Sequence, residues 1–179
     1  RTCNIGESTL GERITDLMEL SNPTVGTAAH PGQTDVRIAA KADSEKEADA
    51  LIAPIEARIR EVAGEYIFGV NQETIEGVVA AKLQQLGQTL AIAEIGTPGL
   101  IIQRLASLLE SASVLKSALV AANVQGLALD LPTNLEQPSQ ELADAAALAI
   151  QATANSDFGL AVCTTPTADD PGMPTYISL

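Results

Sequence analysis

Aromatic residues, cysteine and histidine are scarce in this 179-residue sequence, which has two Tyr, two Phe, no Trp, two Cys and one His. Stacking of nucleobases on aromatic rings therefore has almost no residues to work with. The single histidine, His30, cannot build a zinc site, and its His-Pro-Gly context is typical of a turn. The two cysteines, Cys3 and Cys163, provide no disulfide framework. These absences predict a cytoplasmic protein without a metal site or a cofactor.

Basic residues are also few, and they are unevenly placed. The chain has 10 Lys and Arg against 23 Asp and Glu, which gives a formal net charge of −13. Seven of the ten basic residues lie in the first 60 positions, and none follows Lys116. This charge repels polyanions, so we expect neither nucleic acid nor an anionic membrane as a partner. The sequence also has no signal peptide and no apolar run of membrane length.

The first 40 residues have the patterns of a strand, a helix and a hairpin. A strand is expected within 1–5, and a capping box formed by Thr9 and Glu12 predicts the start of the first helix. Alternating apolar and polar residues on both sides of a Pro-Gly turn predict a hairpin with strands at 24–29 and 35–40.

A second helix and a closing strand complete the first part of the chain. Ser44 and Glu47 form a second capping box before an apolar stripe of helical spacing. A short strand is expected at 66–68, which makes a β-α-β-β-α-β unit over residues 1–70. A connecting helix then occupies most of 71–87 and ends at Gly87.

From residue 88 onward, apolar strands alternate with helices. Buried strands that alternate with helices favour an α/β domain with a mostly parallel sheet. The sequence does not begin with Met and stops on a strand, so we expect a piece of a longer protein, truncated at its end. The expected elements of this 88–179 domain are strands at 90–95, 118–124, 159–163 and 175–179, a helix through Leu109 and a helix capped by Ser139.

Four motifs occur in a fixed order within the first 70 residues. They are Ile-Gly-Glu-Ser at 5–8, Ser-Asn-Pro-Thr-Val-Gly at 21–26, Pro-Gly followed by Asp-Val-Arg-Ile at 31–38, and Tyr-Ile-Phe-Gly at 66–69. In this order they resemble the KH-like middle domain of the CinA (competence/damage-inducible) family. The stretch has no Gly-x-x-Gly clamp between helices and more acidic than basic residues, so we do not expect RNA binding.

The 88–179 domain resembles the carboxy-terminal domain of the same family less closely. In active members, that domain is an amidohydrolase that converts nicotinamide mononucleotide to nicotinic acid mononucleotide and ammonia. Its first motif, Ala-Glu-Ser-Cys-Thr-Gly-Gly, reads Ala-Glu-Ile-Gly-Thr-Pro-Gly at 93–99 here, so Ile95 replaces the serine. Its Gly-rich third motif is replaced by Cys-Thr-Thr-Pro-Thr-Ala at 163–168. The glycines that let a main chain approach phosphate are therefore missing.

The second motif of the amidohydrolase, Tyr-Ser-Asn-x-x-Lys, has also lost its functional side chains. Without a gap, Ala122 stands at the tyrosine and Leu127 at the lysine. A one-residue gap keeps Asn123 as the asparagine and puts Ala121 and Gly126 at those two places. In both alignments the tyrosine and the lysine are lost.

The resemblance implies a vestigial pocket, and the lost side chains favour a protein that is not an enzyme. We expect a catalytically decayed structural and oligomerisation module that forms a homo-oligomer, a dimer, and adjoins the amino-terminal CinA domain of a longer protein. Two alternatives stay open. One is a nicotinamide mononucleotide deamidase, a C–N amide hydrolase, with relocated residues: Ser111 or Ser113 with Lys116, which is three residues past Ser113 and could adjoin it on a helical turn. The other is a nucleotide-binding module without turnover. The candidate pocket residues are Glu94, Ile95, Thr97, Gly99, Ser111, Ser113, Lys116, Ala122, Cys163 and Thr164.

Overall fold

The structure, a computed structural model, describes residues 1–108, 111–165 and 174–179, and of residue 111 only the main chain. The chain divides into two compact units, Arg1–Ile75 and Glu76–Leu179, and each unit contains one sheet. Helices and strands in both units confirm the expected α/β fold class. Across the described ranges, we find no helix whose length and apolar character would let it cross a membrane.

The first unit contains a three-stranded antiparallel sheet with the strand order β1-β3-β2. The hairpin expected from the Pro-Gly turn is formed by the second and third strands, which pair from Thr24↔Ala39 to His30↔Gln33. In order, the elements are β1 (Thr2–Cys3), α1 (Glu7–Arg13), α2 (Thr15–Met18), β2 (Thr24–His30), β3 (Gln33–Ala39), α3 (Glu45–Ala63) and a 3-10 turn (Gly64–Tyr66).

One face of this sheet carries the core of the first unit. Alternation along the strands puts Val25, Val36 and Ile38 on the same face, where they pack against Ile14 and Ile59 from the helices. The helix that supplies Ile59, α3, begins where the capping box predicts. The Ser44 hydroxyl accepts a hydrogen bond from the Glu47 main-chain N–H at 3.3 Å.

Two expectations for the first unit are wrong. The first helix begins at Glu7 rather than after Thr9, with Gly6 as its N-cap and no side-chain cap. The amide of Leu10 already bonds the Gly6 carbonyl, at 2.9 Å, so Thr9 lies inside the helix. The strand expected at 66–68 is reduced to one bridge between Ile67 and Thr2. Its partner β1 has only two residues. Beyond the bridge, the Phe68 amide donates to the Arg1 carbonyl at 3.1 Å and the Arg1 amino group donates to the Gly69 carbonyl at 2.8 Å.

The second unit contains a four-stranded sheet with the order β5-β4-β6-β7. The first three of these strands are parallel, and β7 runs antiparallel to β6, which confirms the expectation of a mostly parallel sheet. The elements are α4 (Ile75–Leu86), β4 (Leu90–Ile95), α5 (Leu100–Ala106), α6 (Ser111–Val114), β5 (Leu115–Ala121), a 3-10 turn (Val124–Gly126), α7 (Gln140–Ala154), β6 (Phe158–Thr164) and β7 (Thr175–Ser178).

Helix α7 lies against one face of this sheet at close range. Gly159 of β6 makes the approach possible, because a Cβ atom there would lie 2.0 Å from the Ala147 carbonyl oxygen. The helix begins at Ser139 as expected, and the Ser139 hydroxyl accepts from the Leu142 amide at 3.1 Å. The core under α7 includes Ala91, Ala93 and Ile95 of β4, whereas the opposite face of β4 packs around α5.

Two elements of the second unit differ from the expectation. The strand expected at 118–124 is Leu115–Ala121, because its pairing with β4 begins at Leu90↔Leu115 and ends at Ile95↔Ala121. Asn123 therefore follows the strand and caps the 3-10 turn, accepting from the Gly126 amide at 3.0 Å. Helix α5 ends at Ala106. Leu109, the expected last helical residue, lies outside the described part of the chain.

Candidate functional site

Ligands of open parallel sheets bind beyond the carboxyl ends of the strands, so this edge of the second sheet is the candidate site. The carboxyl ends of β4, β5 and β6 meet there, and we call this the carboxyl edge. Seven of the ten candidate residues lie at or directly after these strand ends: Glu94, Ile95, Thr97, Gly99, Ala122, Cys163 and Thr164.

The candidates at the carboxyl edge are split between the two faces of the sheet. Glu94 is in register with Val162 of β6, and Ile95 is in register with Cys163. Because successive strand residues point to opposite faces, Glu94 faces α5 whereas Ile95 and Cys163 belong to the core under α7. The sheet itself therefore separates Glu94 from Cys163, and the structure does not bring these two side chains together.

Glu94 is a buried carboxylate with two hydrogen-bond donors. Its side chain is 1% exposed, and it accepts from the Thr97 hydroxyl at 2.5 Å and from the Ile102 main-chain N–H at 2.8 Å. Helix α5 needs this acceptor, because its N-cap residue Gly99 has no side chain and adopts a left-handed φ of 82°. Glu94 and Thr97 thus satisfy the first turn of α5, and a negative charge there is favourable.

The β6 candidates offer little chemistry at this edge. Cys163 is fully buried, and its thiol donates to the Ser139 carbonyl at 3.4 Å. Burial raises the pKa of the Cys163 thiol, which keeps the sulfur protonated and unreactive. The Thr164 hydroxyl donates to the Pro174 carbonyl at 3.3 Å. Within the described ranges, no three His, Cys, Asp or Glu residues are grouped as a metal site.

The remaining candidates lie at the other end of the sheet. Helix α6 ends at Val114, directly before β5, so Ser113 and Lys116 do not share a helical turn as the sequence suggested. Lys116 follows Leu115, the register partner of Leu90 at the amino end of β4. The side chain of Ser111 and residues 166–168 of the third motif lie outside the described part.

Lys116 is far from the carboxyl edge. Glu94 is in register with Val120, four residues further along β5 than Lys116. At 3.3 Å per residue in a parallel strand, the separation along the sheet is about 13 Å. The ten candidates therefore form no single pocket: seven lie around the carboxyl edge, on two faces, and Ser111, Ser113 and Lys116 lie near the amino edge.

Comparison with known proteins begins with the first unit. Residues 1–69 match the family model described as "Damage-inducible protein CinA KH domain". The chain belongs to the CinA family. A "CinA-like protein" of Nostoc sp. (strain PCC 7120 / SAG 25.82 / UTEX 2576) is 34% identical over 164 residues, which are 88% of this chain and 39% of the relative. The "CinA-like protein" of Kosmotoga olearia is 33% identical over 183 residues, 97% of this chain and 44% of the relative.

These CinA relatives are much longer than the chain, which spans less than half of their length. A solved structure, "The crystal structure of competence/damage inducible protein CihA from Agrobacterium tumefaciens", is 23% identical with a TM-score of 0.44. It covers 59% of this chain and 66% of the solved chain.

The CinA motifs of the first unit hold main-chain elements together. The Asn22 side chain bonds Lys41 in both directions: its amide donates to the carbonyl at 3.0 Å, and its oxygen accepts from the N–H at 2.8 Å. This exchange continues the β2–β3 ladder beyond its last pair. The Glu7 carboxylate accepts from the Thr27 hydroxyl at 2.9 Å and thereby joins α1 to β2. The motifs were identified from the sequence, but neither bond was predicted, because each bond joins residues about twenty positions apart along the chain.

In the CinA carboxy-terminal motifs, two key positions now hold core residues. Ile95, at the place of the motif serine, is 1% exposed, and Leu127, at the gap-free place of the motif lysine, is 7% exposed. Both belong to the apolar cluster under α7. Ala122, at the gap-free place of the tyrosine, is exposed and has no functional group.

Proposed function

We propose that this chain is a non-catalytic structural and oligomerisation module of a longer CinA-like protein. The observation that carries the proposal is the burial of Ile95 and Leu127 within one apolar cluster. Amide hydrolysis by serine needs a hydroxyl, a base that takes its proton and donors for the oxyanion. Apolar side chains at the serine and lysine places remove the hydroxyl and the base together.

The one acidic side chain kept from the first motif also supports a structural role. Glu94 accepts hydrogen bonds from Thr97 of the β4–α5 connection and from Ile102 in the first turn of α5. A catalytic carboxylate must be within hydrogen-bond reach of a reacting group. The Glu94 carboxylate is instead buried and holds the start of a helix.

The relocated deamidase is less well supported. Its base would be Lys116, which lies at the amino edge, about 13 Å along the sheet from Glu94. The sequence after Lys116 contains no Lys or Arg. That stretch could therefore supply no cationic side chain to a nucleotide-binding pocket at the carboxyl edge. Phosphate recognition there would depend on main-chain amides alone.

An ammonia-release assay on nicotinamide mononucleotide tests the non-catalytic half of the proposal. We expect the 179-residue chain to release no more ammonia than a blank without protein. The matched variant is Lys116→Ala, because the relocated mechanism requires that amine. Ammonia release by the wild-type chain that disappears in Lys116→Ala would establish the deamidase and overturn the proposal.

Sedimentation equilibrium over a range of protein concentrations tests the oligomerisation half. We expect the mass to rise from that of one chain, 18.5 kDa, towards twice that value as the concentration increases. A single 18.5 kDa species up to millimolar concentration would overturn this half and leave the non-catalytic half standing.

A further inference from the structure

The two sheets have four outer strands, and three of them are protected against pairing with another chain. Strand β1 is bridged through Thr2 to Ile67, and β5 carries Lys116. Strand β7 has only four residues, and its Ile177 carbonyl accepts from the Gln140 side chain at 3.1 Å. Bridging segments, lysines and short lengths are the usual means by which proteins cover sheet edges.

Strand β2 is the fourth outer strand, and in the part of the chain that the structure describes it has none of these protections. It runs for seven residues, Thr-Val-Gly-Thr-Ala-Ala-His, with no Lys, Arg, Asp, Glu or Pro. Its strand partner is β3, which lies on one side only. Gly26 lies mid-strand with an ordinary φ and with no atom within 4 Å of the place of its missing Cβ. A strand glycine that neither conformation nor packing requires is typical of a place where another main chain approaches.

We propose that β2 pairs antiparallel with β2 of a second copy of this chain, with Thr27 on the two-fold axis. The proposal rests on the proposed oligomerisation function and identifies the surface that performs it. In this register, Gly26 faces Ala28 of the second copy and Val25 faces Ala29. The pairing is the same for both copies, as a two-fold interface requires, and it joins the two sheets into one six-stranded sheet.

Charge complementarity favours a second copy as the occupant. Across β3 and β2, Asp35 is in register with Ala28, and Arg37 is in register with Gly26. When Ala28 pairs with Gly26 of the second copy, four residues form one row across the joined sheet. Asp35 is at one end of the row, Ala28 and Gly26 of the second copy follow, and Arg37 of the second copy is at the other end. Two residues with small side chains separate these opposite charges, and the two-fold axis produces the row twice. Within its own chain, Asp35 also contacts Arg1 at 3.2 Å and His30 at 3.4 Å. Opposite charges arranged across an interface fix its register.

Acidic side chains on α1 and α2 limit the affinity. These two helices contact β2, and they carry Glu7, Glu12, Asp16 and Glu19. Two copies bring these like charges towards each other, and this repulsion opposes the attraction within the two charge rows. Pairing of seven-residue strands is a small interface, and interfaces of this size are typical of weak, reversible association.

The first test measures the dimer Kd by sedimentation for three proteins. Ala28→Lys puts an ammonium next to Asp35 of its own chain, which already contacts Arg1 and His30. In the dimer, only Gly26 of the second copy separates this ammonium from Arg37 of that copy, which opposes pairing. We expect Ala28→Lys to raise the Kd roughly tenfold or more. The control Ala39→Lys adds the same charge to the same sheet face on the inner strand β3, and we expect its Kd to stay within about twofold of wild type.

The second test is a disulfide across the proposed axis in a Cys3→Ser background. Thr27→Cys should form a disulfide-linked dimer on mild oxidation, because directly opposed residues of antiparallel strands have Cα atoms about 4.5–5.5 Å apart, which is within the range that a disulfide spans. The control Ala118→Cys lies on the outer strand β5, away from the proposed axis, and should form no disulfide-linked dimer.

The outcomes separate this surface from the proposed function. A wild-type dimer whose Kd is unchanged by Ala28→Lys, and which Thr27→Cys does not link, would overturn β2 pairing while oligomerisation stands. A wild-type monomer at all concentrations would overturn both.

Discussion

Glu94 closes the amino end of helix α5 by accepting a hydrogen bond from the Ile102 main-chain N–H at 2.8 Å. The first-motif glutamate of the CinA carboxy-terminal domain is thus used here as a helix cap, with Thr97 as its second donor. Helix α5 has no side-chain cap from its own N-cap residue, Gly99, so its start depends on a residue of the preceding strand.

Replacement of Glu94 should therefore destabilise the second unit. Glu94→Ala leaves the partly buried Ile102 amide and Thr97 hydroxyl without their acceptor, and we expect a loss of about 3 kcal/mol. Glu94→Gln keeps an oxygen acceptor and should cost less, about 1 kcal/mol. Urea denaturation measures both. The control Glu141→Ala removes an exposed carboxylate from the first turn of α7 and should cost no more than about 0.5 kcal/mol. Equal stability of Glu94→Ala and Glu141→Ala would contradict the capping role.

Gly159 should tolerate no side chain. Its Cβ would lie 2.0 Å from the Ala147 carbonyl oxygen and 2.8 Å from the Gln151 Cβ, so Gly159→Ala must push α7 away from β6. We expect a loss of about 3 kcal/mol or more, or failure to fold. Gly11→Ala is the control, because Gly11 lies inside α1 with open space around it. Alanine there should stabilise by about 0.5–1 kcal/mol. Thermal unfolding followed by circular dichroism compares the two variants, and a Gly159→Ala protein as stable as wild type would show that α7 packs differently.

Restoring the family side chains should not restore activity. Leu127→Lys puts an ammonium into the apolar cluster under α7, and Ile95→Ser removes most of a buried side chain. We expect each change to cost about 3 kcal/mol. The double variant, if it folds, should release no ammonia from nicotinamide mononucleotide, because Gly96 with a φ of 74° and Pro98 also change the loop. Val120→Thr, a half-exposed position on β5, is the stability control. Deamidase activity in the double variant would reveal a latent pocket.

The bond between Asp157 and Thr89 should make stability depend on pH. The Thr89 hydroxyl and main-chain N–H, each 2.7 Å from the carboxylate, hold the pKa of Asp157 below its usual range. A carboxyl whose pKa is lowered by folding contributes fully above its unfolded value of about 3.9, and the contribution is lost as the pH falls through the folded pKa.

Thr89→Val removes the hydroxyl donor and keeps the main-chain donor. The variant should be less stable than wild type at pH 7, and the difference should shrink as the pH falls below about 4. Urea midpoints from pH 7 to pH 3 measure this. Thr133→Val, in an exposed loop, should follow the wild-type profile throughout. A difference between Thr89→Val and wild type that is constant with pH would show that the hydroxyl does not act through the Asp157 charge.

Local features of the sequence were sufficient to predict many elements of the fold. The strand at 90–95 was predicted at its observed bounds, and the Ser44 and Ser139 caps and the β2–β3 hairpin are confirmed. Apolar periodicity, capping residues and turn residues act within a few positions of one another, so the chain displays them directly. The CinA resemblance of the first 70 residues, carried by four short motifs, was equally readable.

Tertiary structure alone decided where the candidate site residues lie. The register of β5 against β4 moved that strand to Leu115–Ala121, and this same register puts Lys116 at the amino edge. Pairing partners also decided that Ile67 forms only a bridge and that Glu94 and Cys163 face opposite sides of a sheet. Strand pairing joins residues that are far apart along the chain, and a shift of one residue exchanges the two faces. Spacing along the sequence therefore does not fix which side chains share a pocket.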